Sequence, residues 1–363
     1  MPDRIILQLG MTGRVNLSDK RVAILGCGRI ATKRHAPILS SGEVRGLTLA
    51  AVCDIDADKA RTMGERGEVP WYTDGDTMMR EVDPDILAIC TPSGMHFEHA
   101  MHFLNYGKPL VIEKPLCLVA ADARSLVYHA NKLDVPVFPV LQNRFNIAVQ
   151  HLERAWRAGR FGKLINANVT VRWSRDESYY QDWHGTWAQA GGVLANQAIH
   201  HIDLLTWLFG MPHHAFARAS RTRSGEVEDT LVGILEYFYG DGLVTLELTA
   251  TAYKDMEGSL TVNGTRGIAK IGGFAVNRVD FWQFDEELPE DATIRTVNEN
   301  PPNVYGYGHC AFYQHVLDCL EKGIPSPIDG RDSINLVTAL YQSVEEQREV
   351  NLMITPYSAR LGC

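Results

Sequence analysis

The sequence predicts an α/β protein of two domains: a doubly wound parallel sheet, then a second α/β domain on a large, open, mostly antiparallel sheet. Three observations carry this. Apolar strand-like runs alternate with helical stretches from Arg21 to about residue 143. A glycine-rich turn, Gly26-Cys27-Gly28-Arg29-Ile30-Ala31, follows the first of those runs. Beyond residue 143 the pattern changes to long stretches with period-two alternation. A chain of 363 residues also exceeds one ordinary core.

Residues 1–20 read as an N-terminal extension, with the short apolar patch Ile5-Ile6-Leu7 in mostly polar surroundings. Strands are expected at 22–25, 47–53, 86–90, 110–112 and 135–140, with helices near 30–40, 56–66, 95–106 and 119–132. The run Ile86-Leu87-Ala88-Ile89-Cys90 is apolar throughout, as suits a parallel strand covered on both faces. A helix near 146–159 opens the second part, followed by strands at 163–175, 214–224, 229–238, 242–251 and 258–264. Leu243-Val244-Thr245-Leu246-Glu247-Leu248-Thr249 is apolar on one parity, the mark of a half-exposed strand. Helices are expected at 195–209, 308–321 and 331–349, and there is no internal repeat.

Composition narrows the class. Hydrophobic residues at 45% and charged residues at 22% fit a soluble globular enzyme. A net charge of −9 argues against a nucleic-acid or anionic-membrane surface. No run approaches the roughly 18 apolar residues of a membrane span, and no signal peptide is visible, so the cytoplasm is expected. The seven cysteines form no CxxC pair and no metal spacing, as expected of buried free thiols without a metal.

The 26–31 turn fits G-x-G-x-x-G/A between a strand and a helix. Gly26 permits the tight turn, Gly28 lets a pyrophosphate approach the backbone, and the helix start offers free N–H groups. Asp54 ends the second strand near the expected spacing of about 20 residues. Its carboxylate would accept from ribose hydroxyls and repel a 2′-phosphate, and no arginine flanks it, so NAD is favoured over NADP. A second loop, Thr91-Pro92-Ser93-Gly94-Met95-His96, leaves the same sheet edge and can cover the dinucleotide, with His96 either touching cofactor or capping the next helix.

Glu113-Lys114-Pro115 ends the run 110–112, which puts a lysine where open α/β folds bind ligands. Burying an ammonium without purpose is costly, which favours a chemical role over a solvated one. In Gly191–Trp207, read as a helix, Asn196 and His200 share a face with Asp203 one turn on. A lone histidine there would ordinarily be a satisfied core residue; a reactive lysine elsewhere favours function. In Arg172-Trp173-Ser174-Arg175, period two sets Arg172 opposite Trp173 and Arg175. With Tyr179, Tyr180, Trp183 and His184 this patch is either a surface for a sugar and an anion or an aromatic strand packing a core.

Together these stretches resemble the Gfo/Idh/MocA oxidoreductases, from Arg21 to about Asn351. The resemblance implies a nicotinamide-binding Rossmann domain, here 21–143. It also implies a substrate-binding and oligomerisation domain, here 144–363, whose C-terminal helices can pack back on the first. Its catalytic lysine and histidine fall on Lys114 and His200. Glu113 and Gln142 then join Gly26, Gly28, Arg29, Ile30, Asp54, Thr91, Pro92, His96 and Lys114 beside the cofactor. Many relatives have aspartate where this chain has Asn196, which can orient substrate but cannot stabilise an imidazolium with a full charge.

The stretches 142–146, 172–175, 191–205 and 305–309 resemble a narrower group acting on nucleotide-linked sugars in bacterial surface-polysaccharide (lipopolysaccharide O-antigen) synthesis. That group includes enzymes that oxidise C3 of UDP-N-acetylglucosaminuronate. The resemblance implies a homo-oligomer, dimer or tetramer, formed through the second sheet. Substrate contacts are expected from Asn143, Arg144, Arg172, Arg175, Tyr179, Asn196, His200 and His309. Hydride transfer needs a base for the hydroxyl proton: His200, with Lys114 polarising the oxygen, or the reverse. The alternatives are an inositol or free-sugar dehydrogenase and a catalytically inactive NAD-binding regulatory protein.

Overall fold

The computed structural model describes residues 19–363 apart from 238–241, 300 and 302–303; all but the last two residues of the expected extension lie outside the described residues. The first sheet has six strands: β1 (Lys20–Leu25), β2 (Leu47–Cys53), β3 (Trp71–Tyr72), β4 (Ile86–Ile89), β5 (Leu110–Ile112) and β6 (Val137–Pro139). They lie in the order β3-β2-β1-β4-β5-β6 and pair in parallel throughout. The order reverses beside β1, the crevice where such sheets bind ligands. Val22, Ile24, Leu87 and Ile89 are fully buried, as continuous apolar strands require when helices cover both faces.

The helices of this half are α1 (Ala36–Ser41), α2 (Ala57–Gly67), α3 (Gly75–Val82), α4 (His96–Phe103) and α5 (Ala120–Leu133). The single helix expected at 30–40 is instead a wide π-type turn at Ala31–His35 running into α1, whose first turn holds a proline with no N–H to donate. Asp56 caps α2 by accepting from the Asp58 and Lys59 amides, and Asp74 caps α3 through Thr77.

The second half contributes α6 (Ile147–Arg157), β7 (Leu164–Arg172), α7 (Val193–Asn196), α8 (Ile199–Phe209), β8 (His214–Ser220), β9 (Thr230–Glu236), β10 (Leu243–Thr249), β11 (Glu257–Gly264), β12 (Gly267–Gly272), β13 (Arg278–Phe284), α9 (Asp291–Ile294), α10 (Gly308–Lys322), α11 (Arg331–Glu346) and β14 (Val350–Asn351). The sheet order is β13-β12-β11-β7-β10-β9-β8-β14, antiparallel except for β7 beside β10. β12 and β13 extend the sheet beyond the sequence expectation, because glycines bound one and polar residues stud the other.

Alternation along β9 and β10 buries Leu231, Leu235, Val244 and Leu246 on one face and leaves Val232, Ile234 and Leu243 half exposed on the other. Helix α10, from the second half, adds Phe312, Tyr313, Val316 and Leu317 to the first domain's core around Val22, Ile24, Val111 and Phe138. All seven cysteines are free, and burial pushes the thiols of Cys27 and Cys53 up to about 12. Among the described residues, no helix is long and apolar enough to cross a membrane.

Candidate active site

A cavity of about 1280 Å³ opens at the carboxyl edge of the first sheet, and both domains line it. One ligand typically needs ~300–1,000 Å³, so there is room for two. Its floor is the turn after β1. Gly26 sits at φ +98°, and a Cβ there would lie 2.7 Å from the Cys90 backbone, so only glycine serves. At Gly28 a Cβ would meet nothing within 4 Å, which leaves bare backbone facing the cavity. Asp54 accepts from the Cys27 amide at 2.7 Å and the Asp56 amide at 2.9 Å, tying the turn to the end of β2. Bare backbone to donate to a pyrophosphate, beside a fixed carboxylate to accept from ribose hydroxyls, is what a dinucleotide needs.

The opposite wall carries the reactive groups. Lys114 follows β5, and its Nζ donates to Asn196 O at 2.8 Å and to Asn196 Oδ1 at 3.1 Å. Burial pushes this ammonium down to about 8; Glu113 opposes that and Arg175 adds to it. His200, on α8, accepts from Gln142 Nε2 at 3.2 Å and is held well below the usual imidazole range by burial and by Lys114. α7 and α8 break at Gln197–Ala198, so the expected single helix is two, yet Asn196 and His200 still line the same cavity.

The rim is aromatic and cationic. His184 stacks on Trp183 with ring centroids 3.7 Å apart, and Tyr179 lies tilted against His184 at 4.2 Å. The guanidiniums of Arg29 and Arg175 lie 5.4 and 5.9 Å from the Tyr179 ring. Each keeps one acidic neighbour, Asp182 at 3.7 Å and Asp255 at 3.2 Å respectively.

Behind Lys114 is a polar cluster whose His35 and Tyr313 sequence reasoning missed. His35 Nε2 lies 2.8 Å from Glu113 Oε1, His35 Nδ1 lies 2.6 Å from the Tyr313 hydroxyl, and Glu113 Oε2 accepts from the Lys114 amide at 2.9 Å. Burial alone would raise Glu113, but the His35 hydrogen bond and charge outweigh it and hold the carboxyl at about 2. His309 completes the cluster; it is buried, lines the cavity, and neither ring nitrogen has a hydrogen-bond partner among the described residues. His35, Glu113 and His309 set ligand-type atoms within 4.8 Å of one another, but His35 and Glu113 already satisfy each other. The available signal was a histidine on an otherwise apolar face just past the glycine turn.

Of the residues expected from sequence, all but three line the cavity. Arg172 does not: it points to the opposite face of β7, as period two requires, and pairs with Glu247 and Glu257, both at 2.6 Å. Arg144 is turned away into a buried two-point pair with Asp203, at 2.7 and 2.6 Å, and lies over the Trp207 ring. Asn143 is buried beside it, outside the cavity wall. His96 neither caps α4 nor turns a nitrogen to the cavity: its ring nitrogens lie 2.7 and 2.9 Å from the Pro115 and Thr91 carbonyl oxygens, and the neutral ring donates its one N–H to one of them. Thr91 and Pro92 stay on the wall, with Thr91 Oγ1 3.0 Å from His99.

Residues 20–140 match the family described as Oxidoreductase family, NAD-binding Rossmann fold, and residues 156–352 match Oxidoreductase family, C-terminal alpha/beta domain. The chain belongs to the Gfo/Idh/MocA oxidoreductase family. It is an NAD-dependent oxidoreductase. Among solved structures it is similar to the WlbA dehydrogenase of Chromobacterium violaceum in complex with NADH and UDP-GlcNAcA, at 31% identity and TM-score 0.85, over 94% of this chain and 98% of that one. WlbA of Bordetella pertussis, with the same two ligands, is 29% identical with TM-score 0.81, over 92% and 98%. D-glucoside 3-dehydrogenase of Escherichia coli is 29% identical over 259 residues, 65% of this chain and 72% of that protein.

Proposed function

We propose that this enzyme uses NAD⁺ to oxidise the C3 hydroxyl of a UDP-linked N-acetylglucosaminuronic acid-type sugar to the 3-keto sugar, in cytoplasmic synthesis of a bacterial surface polysaccharide. The observation that carries this reading is the meeting of Lys114 and His200, from different domains, in one cavity with the Gly26–Ala31 turn. When bound, NAD⁺ supplies the acceptor for the hydride. The protein's part is to hold the carbinol within ~3–3.5 Å of that acceptor and to take the hydroxyl proton. Lys114 and His200 flank the place where that oxygen would sit. Arg29 and Arg175 suit an anionic substrate, and the Tyr179–His184–Trp183 shelf suits a flat base or a sugar face. Similarity to WlbA, solved with UDP-GlcNAcA, points the same way.

The test is reduction of NAD⁺ with a panel of UDP-linked N-acetylated uronic acids and sugars, myo-inositol and simple glucosides. Turnover of the UDP-uronate at a kcat/KM at least about 10²-fold above the free polyols is expected, each lost contact weakening binding about tenfold per 1.4 kcal/mol. Turnover of inositol or a glucoside alone would replace this reading with a free-sugar one, and NAD binding without any turnover would favour a regulatory protein.

Homo-oligomerisation through the second sheet belongs to the same proposal. The bare face exposes Val232, Ile234 and Leu243 on adjacent strands, opposite Glu247, Thr245 and Glu236, a mixed face that a second copy would cover. Ile234→Arg is therefore expected to lower the sedimenting mass while leaving the monomer folded. An unchanged mass would put the interface elsewhere.

A further inference from the structure

We propose that Asn196 is a positioning residue that makes Lys114, rather than His200, the acceptor of the substrate's hydroxyl proton. The inference rests on the dehydrogenase reading above. Both oxygens that Lys114 Nζ reaches, at 2.8 and 3.1 Å, belong to Asn196 and are neutral. The amide is fixed that way round: its Nδ2 donates to the Tyr179 hydroxyl at 3.2 Å, which also receives Gln197 Nε2 at 3.2 Å. A carboxylate would fit the same place with one atom changed.

The remaining groups that face Lys114 do not supply a free negative charge. On its own loop Glu113 is engaged by His35. Beyond β7, Arg175 is a second cation. His96 on α4, His184 in the 183–185 turn and His309 on α10 are all driven toward the neutral ring, chiefly by burial. An ammonium left in this setting gives up its proton readily, and burial holds Lys114 down at about 8.

His200 is placed to do the opposite. Its Nε2 lone pair already accepts from Gln142, its Nδ1 has no partner among the described residues, and the nearby Glu113 carboxylate, engaged by His35, is outweighed by burial and by Lys114, which disfavour an imidazolium. It stays neutral and serves as an N–H donor. In the step itself the C3–H bond breaks with its electron pair passing to NAD⁺, which becomes NADH. The O–H bond breaks with its proton passing to Lys114 Nζ, and the C–O bond becomes C=O. Lys114 leaves the step as an ammonium and must release that proton to solvent before the next turnover.

Two variants, Asn196→Asp and Asn196→Ala, test this with two readouts. The first is acetylation of Lys114 by acetic anhydride across pH, followed by mass spectrometry on protein without substrate. The second is the pH dependence of kcat/KM. In Asn196→Asp the carboxylate should move the labelling midpoint and the acid limb of kcat/KM upward together by about one to three pH units. Asn196→Ala should slow turnover and leave both midpoints near those of the wild type. An unmoved labelling midpoint in Asn196→Asp overturns the proposal, and so does an equal movement in both variants, which would mark a merely structural role. A labelling midpoint that moves while the kcat/KM limb stays in place makes another group the acceptor and also overturns it. Wild-type protein that oxidises no nucleotide sugar counts against the substrate reading alone, because the labelling midpoint still decides the hold of Asn196 on Lys114.

Discussion

Lys114→Met is expected to keep its fold and its NAD affinity while kcat falls by about 10²–10⁴-fold, the usual worth of a positioned proton acceptor. That loss corresponds to about 3–5.5 kcal/mol of barrier. Methionine matches the length of the lysine stem, so the cavity wall is preserved. Removing an ammonium whose burial costs free energy should leave stability unchanged or raised. The pH dependence supplies a second signature. The base form is the deprotonated amine, so wild-type oxidation should climb as pH rises through about 8, and the residual rate of the variant should lack that limb. Stopped-flow formation of NADH with the preferred sugar, set beside calorimetric NAD binding, reads both quantities. A variant with wild-type turnover would remove Lys114 from the chemistry.

The first sheet was legible because its main strands each carry an unbroken apolar run and the motif residues sit at strand ends, where topology alone fixes their position. Glu113-Lys114-Pro115 could be placed at the cavity before any coordinates for that reason. The side of a strand was legible too: period two sets Arg172 opposite Arg175, and the structure shows only Arg175 at the cavity. What sequence could not supply was pairing across distance. Nothing local says that Arg144 will be claimed by Asp203, or that His35 and Tyr313 will close on Glu113 from segments far away in the chain. Short elements were also lost: β3 and β14 have two residues each, too few for a period to show. Asn196 marks the boundary between the two cases. Its presence on the reactive face was readable, but that its amide grips Lys114 instead of His200 depends on the break between α7 and α8.

Arg144→Ala should then act on stability and not on substrate affinity. Arg144 and Asp203 are both buried and joined at two points, 2.7 and 2.6 Å apart. Burial pushes the Asp203 carboxyl up and Arg144 only partly holds it down, so the intact pair adds little net stability. Breaking it is another matter: the carboxylate stays behind in a low-dielectric site, at a cost of about 3–5 kcal/mol. The sign of the pH effect follows from the same geometry. Without the guanidinium the folded-state pKa of Asp203 rises further above its unfolded value, so the neutral acid is the form the fold prefers. The deficit should be largest at neutral and higher pH and should shrink as pH falls through that raised value. Replacing both partners, Arg144→Met with Asp203→Leu, should cost less than the single change, because no charge is left unpaired. Urea unfolding at several pH values, with KM measured on the folded protein, separates the two readings. A variant of wild-type stability whose KM for the sugar rises tenfold would return Arg144 to the substrate, against the direction its side chain takes here.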